Sequence, residues 1–188
     1  MYFIIGLGNP GKKYEKTRHN IGFAAINNYQ TINNFSDWKN TKKFQAEISE
    51  GTINDQATIL VKPQAFMNNS GKTVKLLAAS YKLRVASLIV IHDDIDLPLG
   101  KIKIVKDRGS AGHKGIESII QNLKTEDFIR LRIGIQPKTG KPKNVEKFVL
   151  QKFDKDEENI LKYIFEKAVE AIGTIIKEGL EKAMSEYN

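Results

Sequence analysis

Leu88-Ile89-Val90-Ile91-His92-Asp93-Asp94 is the stretch on which the reading of the fold turns. Four consecutive apolar residues, two of them isoleucine and one valine, suit a strand buried on both faces. Polar residues follow at once, before a turn around Pro98 to Gly100. In open α/β sheets, ligand sites gather at such carboxyl ends of strands, so His92, Asp93 and Asp94 become candidates for chemistry.

The neighbouring segments read as the rest of a sheet and its helices. Tyr2 to Leu7 is a short apolar run closed by Gly6-Leu7-Gly8-Asn9-Pro10-Gly11, as for a buried strand ending in a turn. Phe44 to Ser49 and Thr58 to Val61 flank Asn54-Asp55 and read as paired strands, while Lys101 to Val105 and Ile129 to Ile135 alternate like strands. Asn20 is placed to cap a helix from Ile21 to Ile32, and Asn68-Asn69-Ser70 to start one containing Val74, Leu77, Ala78 and Tyr81. Gly112 to Gly115 opens a helix reaching Leu123, and helical spacing runs from Asp156 to Met184. This alternation predicts an α/β fold: a single domain over residues 1–188, with a mixed, twisted central β-sheet surrounded by α-helices.

Composition narrows the function. The 188 residues are 40% hydrophobic and 28% charged, the balance of a globular chain. The absence of cysteine excludes disulfides, thiolate zinc sites and a cysteine nucleophile. No signal-peptide start and no apolar run of membrane-spanning length occur, so a cytoplasmic location is expected. The formal charge is +8, and residues 101–147 carry twelve Lys or Arg against five Asp or Glu, a surplus of seven. A polyanionic partner is the natural inference, against the plain alternative of a solvated Lys-rich surface.

Several motifs fail on inspection. The spacing G-x-G-x-x-G at Gly6 to Gly11 suggests a dinucleotide site, but Asn9-Pro10-Gly11 is turn chemistry and no acidic residue ends a second strand at the required distance. Ser70-Gly71-Lys72-Thr73 copies the tail of a phosphate loop, with Phe66 where its first glycine belongs. There is no G-x-S-x-G elbow, which favours a base-activated water over a serine nucleophile. Two readings of the carboxylates stay open: His92, Asp93, Asp94 and Asp96 as ligands of a hard metal, or Asp93 holding the tautomer of a distant histidine, His19 or His113.

Taken together, Gly6 to Gly11, Tyr14 through His19-Asn20-Ile21-Gly22, Lys62-Pro63 with Phe66-Met67-Asn68, His92-Asp93-Asp94 and Gly112-His113 resemble bacterial peptidyl-tRNA hydrolase in order and spacing. The resemblance extends to Arg130-Leu131-Arg132-Ile133-Gly134-Ile135 and, more loosely, into the terminal helices. It implies a monomer, without cofactor, metal or obligate protein partner, that hydrolyses the ester between peptide and 3′-terminal ribose of N-blocked peptidyl-tRNA and so recycles tRNA during translation. By this resemblance His19 is the base, Asp93 keeps it in its working form, and Asn9 and Asn68 hold the substrate at the scissile ester. Tyr14, Phe66 and Met67 would line the groove for the tRNA 3′ end and peptide, with His113 beside it.

The basic residues Lys103, Lys106, Arg108 and Arg132, with Lys101, would meet phosphates of the acceptor stem. One position departs from the family pattern: Lys114 stands where asparagine is usual. Lysine donates but cannot accept a hydrogen bond, so Lys114 is expected at a terminal phosphate of the tRNA rather than in asparagine's role. Two rivals remain: a non-catalytic RNA-binding relative of the same fold, and a metal-dependent phosphohydrolase using Asp93, Asp94 and Asp96.

Overall fold

A computed structural model describes all 188 residues. Its centre is strand β1 (Tyr2–Gly6), paired in parallel on one side with β4 (Gln56–Pro63) and on the other with β5 (Leu88–Pro98). The remaining strands are β2 (Lys39–Thr41), β3 (Ala46–Ile53), β6 (Ile102–Lys106) and β7 (Ile129–Gln136). They complete one seven-stranded sheet in the order β2-β3-β4-β1-β5-β7-β6. The pairs β2/β3, β3/β4 and β6/β7 are antiparallel and β5/β7 is parallel, so the sheet is mixed, as expected.

Alternation along the central strands sends side chains into two cores. Ile4, Ile89 and Ile91 join one apolar cluster; Phe3, Ile5, Leu88 and Val90 join the other. The first is covered by α1 (Ile21–Ile32), α5 (Lys155–Glu178) and α6 (Leu180–Tyr187), and the second by α2 (Ser70–Tyr81) and α3 (Lys114–Leu123). Helix α4 (Val145–Val149) is one short turn. Strand β7 departs from the two-core rule: Ile129, Leu131, Ile133 and Ile135 all enter the first cluster, leaving Arg130 and Arg132 on the opposite face. No helix is long and apolar enough to cross a membrane.

Several boundaries differ from the sequence reading. Strand β5 continues past His92 to Pro98, through a register shift between Asp94 and Pro98 against β7. Asn54 and Asp55 both take positive φ, 46° and 60°, so a tight two-residue turn lets β3 and β4 run longer than their apolar cores. The helical stretch at the end breaks at Gly179, whose φ of 97° interrupts the path between α5 and α6. Neither Asn20 nor Asn69 caps its helix with its side chain, because 3₁₀ turns at Arg18–Asn20 and Met67–Asn69 lead in instead. Asn68 lies inside the second turn, one residue before the capping position.

The start of α1 is pressed against the end of β1. A Cβ on Gly22 would stand 2.5 Å from the backbone oxygens of Ile91 and Leu7, atoms that cannot yield. At this contact Leu7 N–H donates to Ile91 O at 2.9 Å and Phe23 N–H to Leu7 O at 3.1 Å, which brings the turn ahead of α1 to the end of β5. Gly22→Ala should therefore destabilise the fold by about 1–3 kcal/mol through overpacking. Gly173→Ala, in α5 with open space around it, should be neutral or stabilising by about 0.5–1 kcal/mol. Urea denaturation of both variants checks the pair; equal effects would contradict the close approach.

Candidate active site

Three chain segments converge on one carboxylate. Asp93 lies on β5 and is 3% exposed. The turn before α1 brings His19, whose Nδ1 is 2.9 Å from Oδ1 and 3.0 Å from Oδ2 of Asp93. From the N-terminus of α3 comes His113, with Nε2 3.0 Å from the same Oδ1.

The backbone decides which nitrogens carry protons. His113 Nδ1 accepts from the N–H groups of Gly115 at 3.1 Å and Ile116 at 3.2 Å, so it caps α3 with a lone pair. Its proton is then on Nε2, which donates to Asp93. A carboxylate only accepts, so His19 also donates, through Nδ1–H. His19 Nε2 is left with a free lone pair and no protein hydrogen bond. His92, buried in β5, donates Nδ1–H to the Asp93 carbonyl at 2.6 Å.

The charges follow the same geometry. Burial pushes the Asp93 carboxyl up, but the two facing imidazoles and their hydrogen bonds outweigh it and hold it far below the usual carboxylate range. For His19, burial disfavours the imidazolium most strongly; the charge and hydrogen bond of Asp93 together exceed it, and the net direction is up from 6.5. His92 is pushed well down, by burial first and then His113, and is neutral.

The two asparagines are presented differently. Asn20, rather than capping α1, clamps the backbone of Asn9: it accepts from Asn9 N–H at 2.8 Å and donates to Asn9 O at 2.9 Å. Asn9 Oδ1 accepts from Met67 N–H at 2.8 Å, which leaves the Asn9 amide nitrogen as a donor. Asn68, the next residue, is exposed. Phe66 is 55% exposed and meets the edge of Tyr14, with ring centroids 6.4 Å apart. Met67 is buried in the second core, so of the expected groove residues it supplies the floor beneath, not the surface.

A cavity of about 520 Å³ opens beside the histidines, lined by His19, Asp93 and His113 and also by Val145, Val149 and Leu150. Lys114 reaches over to Glu146 at 2.7 Å, and Lys141 to Asp96 at 2.6 Å; both pairs are exposed. A second cavity of about 440 Å³, between β5, β6, β7 and the loop at Arg108 to Ala111, gathers Lys103, Arg108, Arg130 and Arg132 with His92 and Asp94. Lys106 is not among its lining residues, and pairs with Asp127 at 2.9 Å.

The acidic cluster read as a possible metal site is divided among other tasks. Asp94 is paired with Arg132 and accepts from Asp96 N–H, while Asp96 holds Lys141. His19, Asp93 and His113 do bring ligand-type atoms within 4.8 Å of one another. A metal there would need an unprotonated His113 Nε2, yet the lone pair of that ring is already committed to α3. The arrangement suits proton transfer. The role of Asn20 was hidden from sequence reasoning because its partner lies eleven residues away and no local pattern links them.

The chain matches the family described as peptidyl-tRNA hydrolase over residues 3–188. It is 47% identical over 189 residues to the peptidyl-tRNA hydrolase of Mycoplasma capricolum subsp. capricolum, covering 100% of both chains. To that of Clostridium tetani it is 41% identical over 189 residues, covering 100% of this chain and 97% of the relative. The crystal structure of peptidyl-tRNA hydrolase from Acinetobacter baumannii superposes with a TM-score of 0.92 at 29% identity, covering 100% of this chain and 94% of that one.

The hydrogen bonds above predict opposite neutral tautomers for two rings sharing one carboxylate. Two-dimensional ¹⁵N NMR of the neutral form should show Nδ1–H for His19 and Nε2–H for His113. An Nε2–H tautomer at His19 would refute the assignment.

Proposed function

Because the chain belongs to the peptidyl-tRNA hydrolase family, we propose that it hydrolyses the ester joining peptide to the 3′-terminal ribose of N-blocked peptidyl-tRNA, with His19 as general base. The observation that carries this reading is the tautomer lock, which leaves His19 Nε2 as the one free imidazole lone pair of the His19–Asp93–His113 cluster.

In the proposed step, His19 Nε2 takes a proton from water as the water oxygen attacks the ester carbonyl. The tetrahedral oxyanion is met by amide donors of Asn9 and Asn68, and Asp93 stabilises the imidazolium. Collapse breaks the carbon–oxygen bond to ribose, and the proton on His19 returns to the leaving 3′-hydroxyl. No redox or metal step is required. Tyr14 and Phe66 would carry the bases and peptide of the 3′ end.

Lys103, Arg108 and Arg132 would hold phosphates of the acceptor stem, supported by their common cavity. Lys106 would join them only by leaving Asp127. Lys114 would likewise reach a terminal phosphate when its exposed pair with Glu146 opens, an exchange of one anion for another. The protein would act as a monomer in the cytoplasm.

Release of labelled peptide from N-acetylated aminoacyl-tRNA, with chelator present, tests the reading. His19→Ala should lower kcat by about 10²- to 10⁴-fold while KM holds, and unblocked aminoacyl-tRNA should be spared. Loss of activity on chelation, or an equal loss of tRNA affinity in the variant, would overturn it.

A base works unprotonated, and the pKa of His19 is raised. Activity should therefore fall as pH drops through a value above 6.5. Asp93→Asn removes the larger raising influence, the carboxylate charge, and leaves at most a neutral acceptor against those that lower, burial and then Lys114. The acid limb should move to lower pH while the plateau falls; a limb that stays in place would show that another group titrates.

A further inference from the structure

The residue before His19 is an arginine 6% exposed, and the chemistry above makes no use of it. Its guanidinium forks onto Glu157 of α5, Nη1 to Oε1 at 2.9 Å and Nη2 to Oε2 at 2.8 Å. The same group lies 4.3 Å from the ring centroid of Phe148 and 4.7 Å from that of Phe153. A planar fork held between aromatic rings has a fixed orientation, which a lysine ammonium would not reproduce.

The backbone is tied to the same place. Arg18 N–H donates to Gln151 O at 2.9 Å, and Thr17 forms an isolated antiparallel bridge with Lys152. Glu157 is itself fixed: its Oε2 accepts from Asp154 N–H at 2.9 Å in the capping box that starts α5. All these partners belong to residues 148–157. The preceding turn of that stretch, with Val149 and Leu150, forms a wall of the cavity that His19 faces. One segment thus closes the cavity and grips the backbone that carries His19, whose ring has no protein hydrogen bonds beyond those to Asp93.

We propose that Arg18 is a positioning residue for the ester hydrolysis: clamped by Glu157, Phe148 and Phe153, it holds the His19 turn in register with Asp93 and the cavity wall. The inference rests on the reading of His19 as base. Taking an arginine out of water is costly and adds little net stability even when it is paired, so the return from this arrangement is geometric.

Arg18→Lys keeps charge without the fork, and Glu157→Gln keeps shape without the ion pair. Both variants, their double combination and His19→Ala should be assayed as full chains on N-acetylated aminoacyl-tRNA, at a temperature where circular dichroism shows each folded. Displacing a catalytic group by about 1 Å costs on the order of 10²-fold, so each single variant should lose about 10- to 100-fold in kcat at unchanged KM. The acid limb should move to lower pH as the hold of Asp93 on His19 loosens, and the double variant should lose less than the product of the singles. An unchanged kcat and pH limb in folded single variants would overturn the proposal. So would losses that follow the unfolded fraction while the limb stays put. If His19→Ala loses turnover and the Arg18 and Glu157 variants do not, positioning alone fails; if His19→Ala keeps turnover, the base assignment fails and takes this proposal with it.

Discussion

The rest of the site depends on the burial of one negative charge. Asp93 is almost completely shielded from water yet remains ionised, because two imidazole N–H groups are aimed at it. Withdrawing a carboxylate from water costs several kcal/mol unless its lone pairs are met, so the elements that deliver those donors are bound to one another. The end of β5, the turn before α1 and the first turn of α3 have to coincide. The close contact at Gly22 and the seat of Gly115 on Met67, where a Cβ would stand 2.5 Å from Sδ, are what allow the approach.

The same sheet explains where the positive charge is available. Seven surplus charges lie in residues 101–147, but several of those cations are already paired, with Asp127, Asp94, Glu146 and Asp96. What survives as a concentrated feature is the cleft that β5, β6 and β7 line together with the loop at Arg108 to Ala111. Within it Arg132 is paired with Asp94 and Arg130 donates to the carbonyls of Gly109 and Arg108, while Lys103 and Arg108 have no side-chain partner; cations gathered in a cavity raise the local potential more than the same charges spread over a surface. That cleft meets the histidine site at His92 and Asp94, which line both cavities.

Features set by local chemistry were legible in the sequence. Asn54-Asp55 dictates a tight hairpin, the run at Leu88 a central strand, and the alternation of Ile129 to Ile135 a strand with one basic face. Long-range pairings were not. Asn20 looks like a helix cap because capping is what asparagine does locally, and only folding shows that it clamps Asn9. Met67 sits between two residues of the expected groove, and its burial depends on α3 packing over it. Lys114 and Glu146 are 32 residues apart, and no periodicity connects them. The candidate residues themselves were reached through resemblance of several segments in register; the tautomers that give them distinct parts required the backbone partners.

The two imidazoles are placed almost alike, each about 3 Å from the same carboxylate, and distance alone does not tell them apart. Their difference lies on the other side of each ring. His113 turns its second nitrogen to the backbone of α3, which fixes the first as a donor, whereas the second nitrogen of His19, a residue that lines the cavity, has no protein partner. Removing a proton from water needs a lone pair, and the helix has already taken the one on His113. The distinction between base and support is thus made by where a helix begins: the first N–H groups of α3 occupy the lone pair of one ring and leave that of the other free.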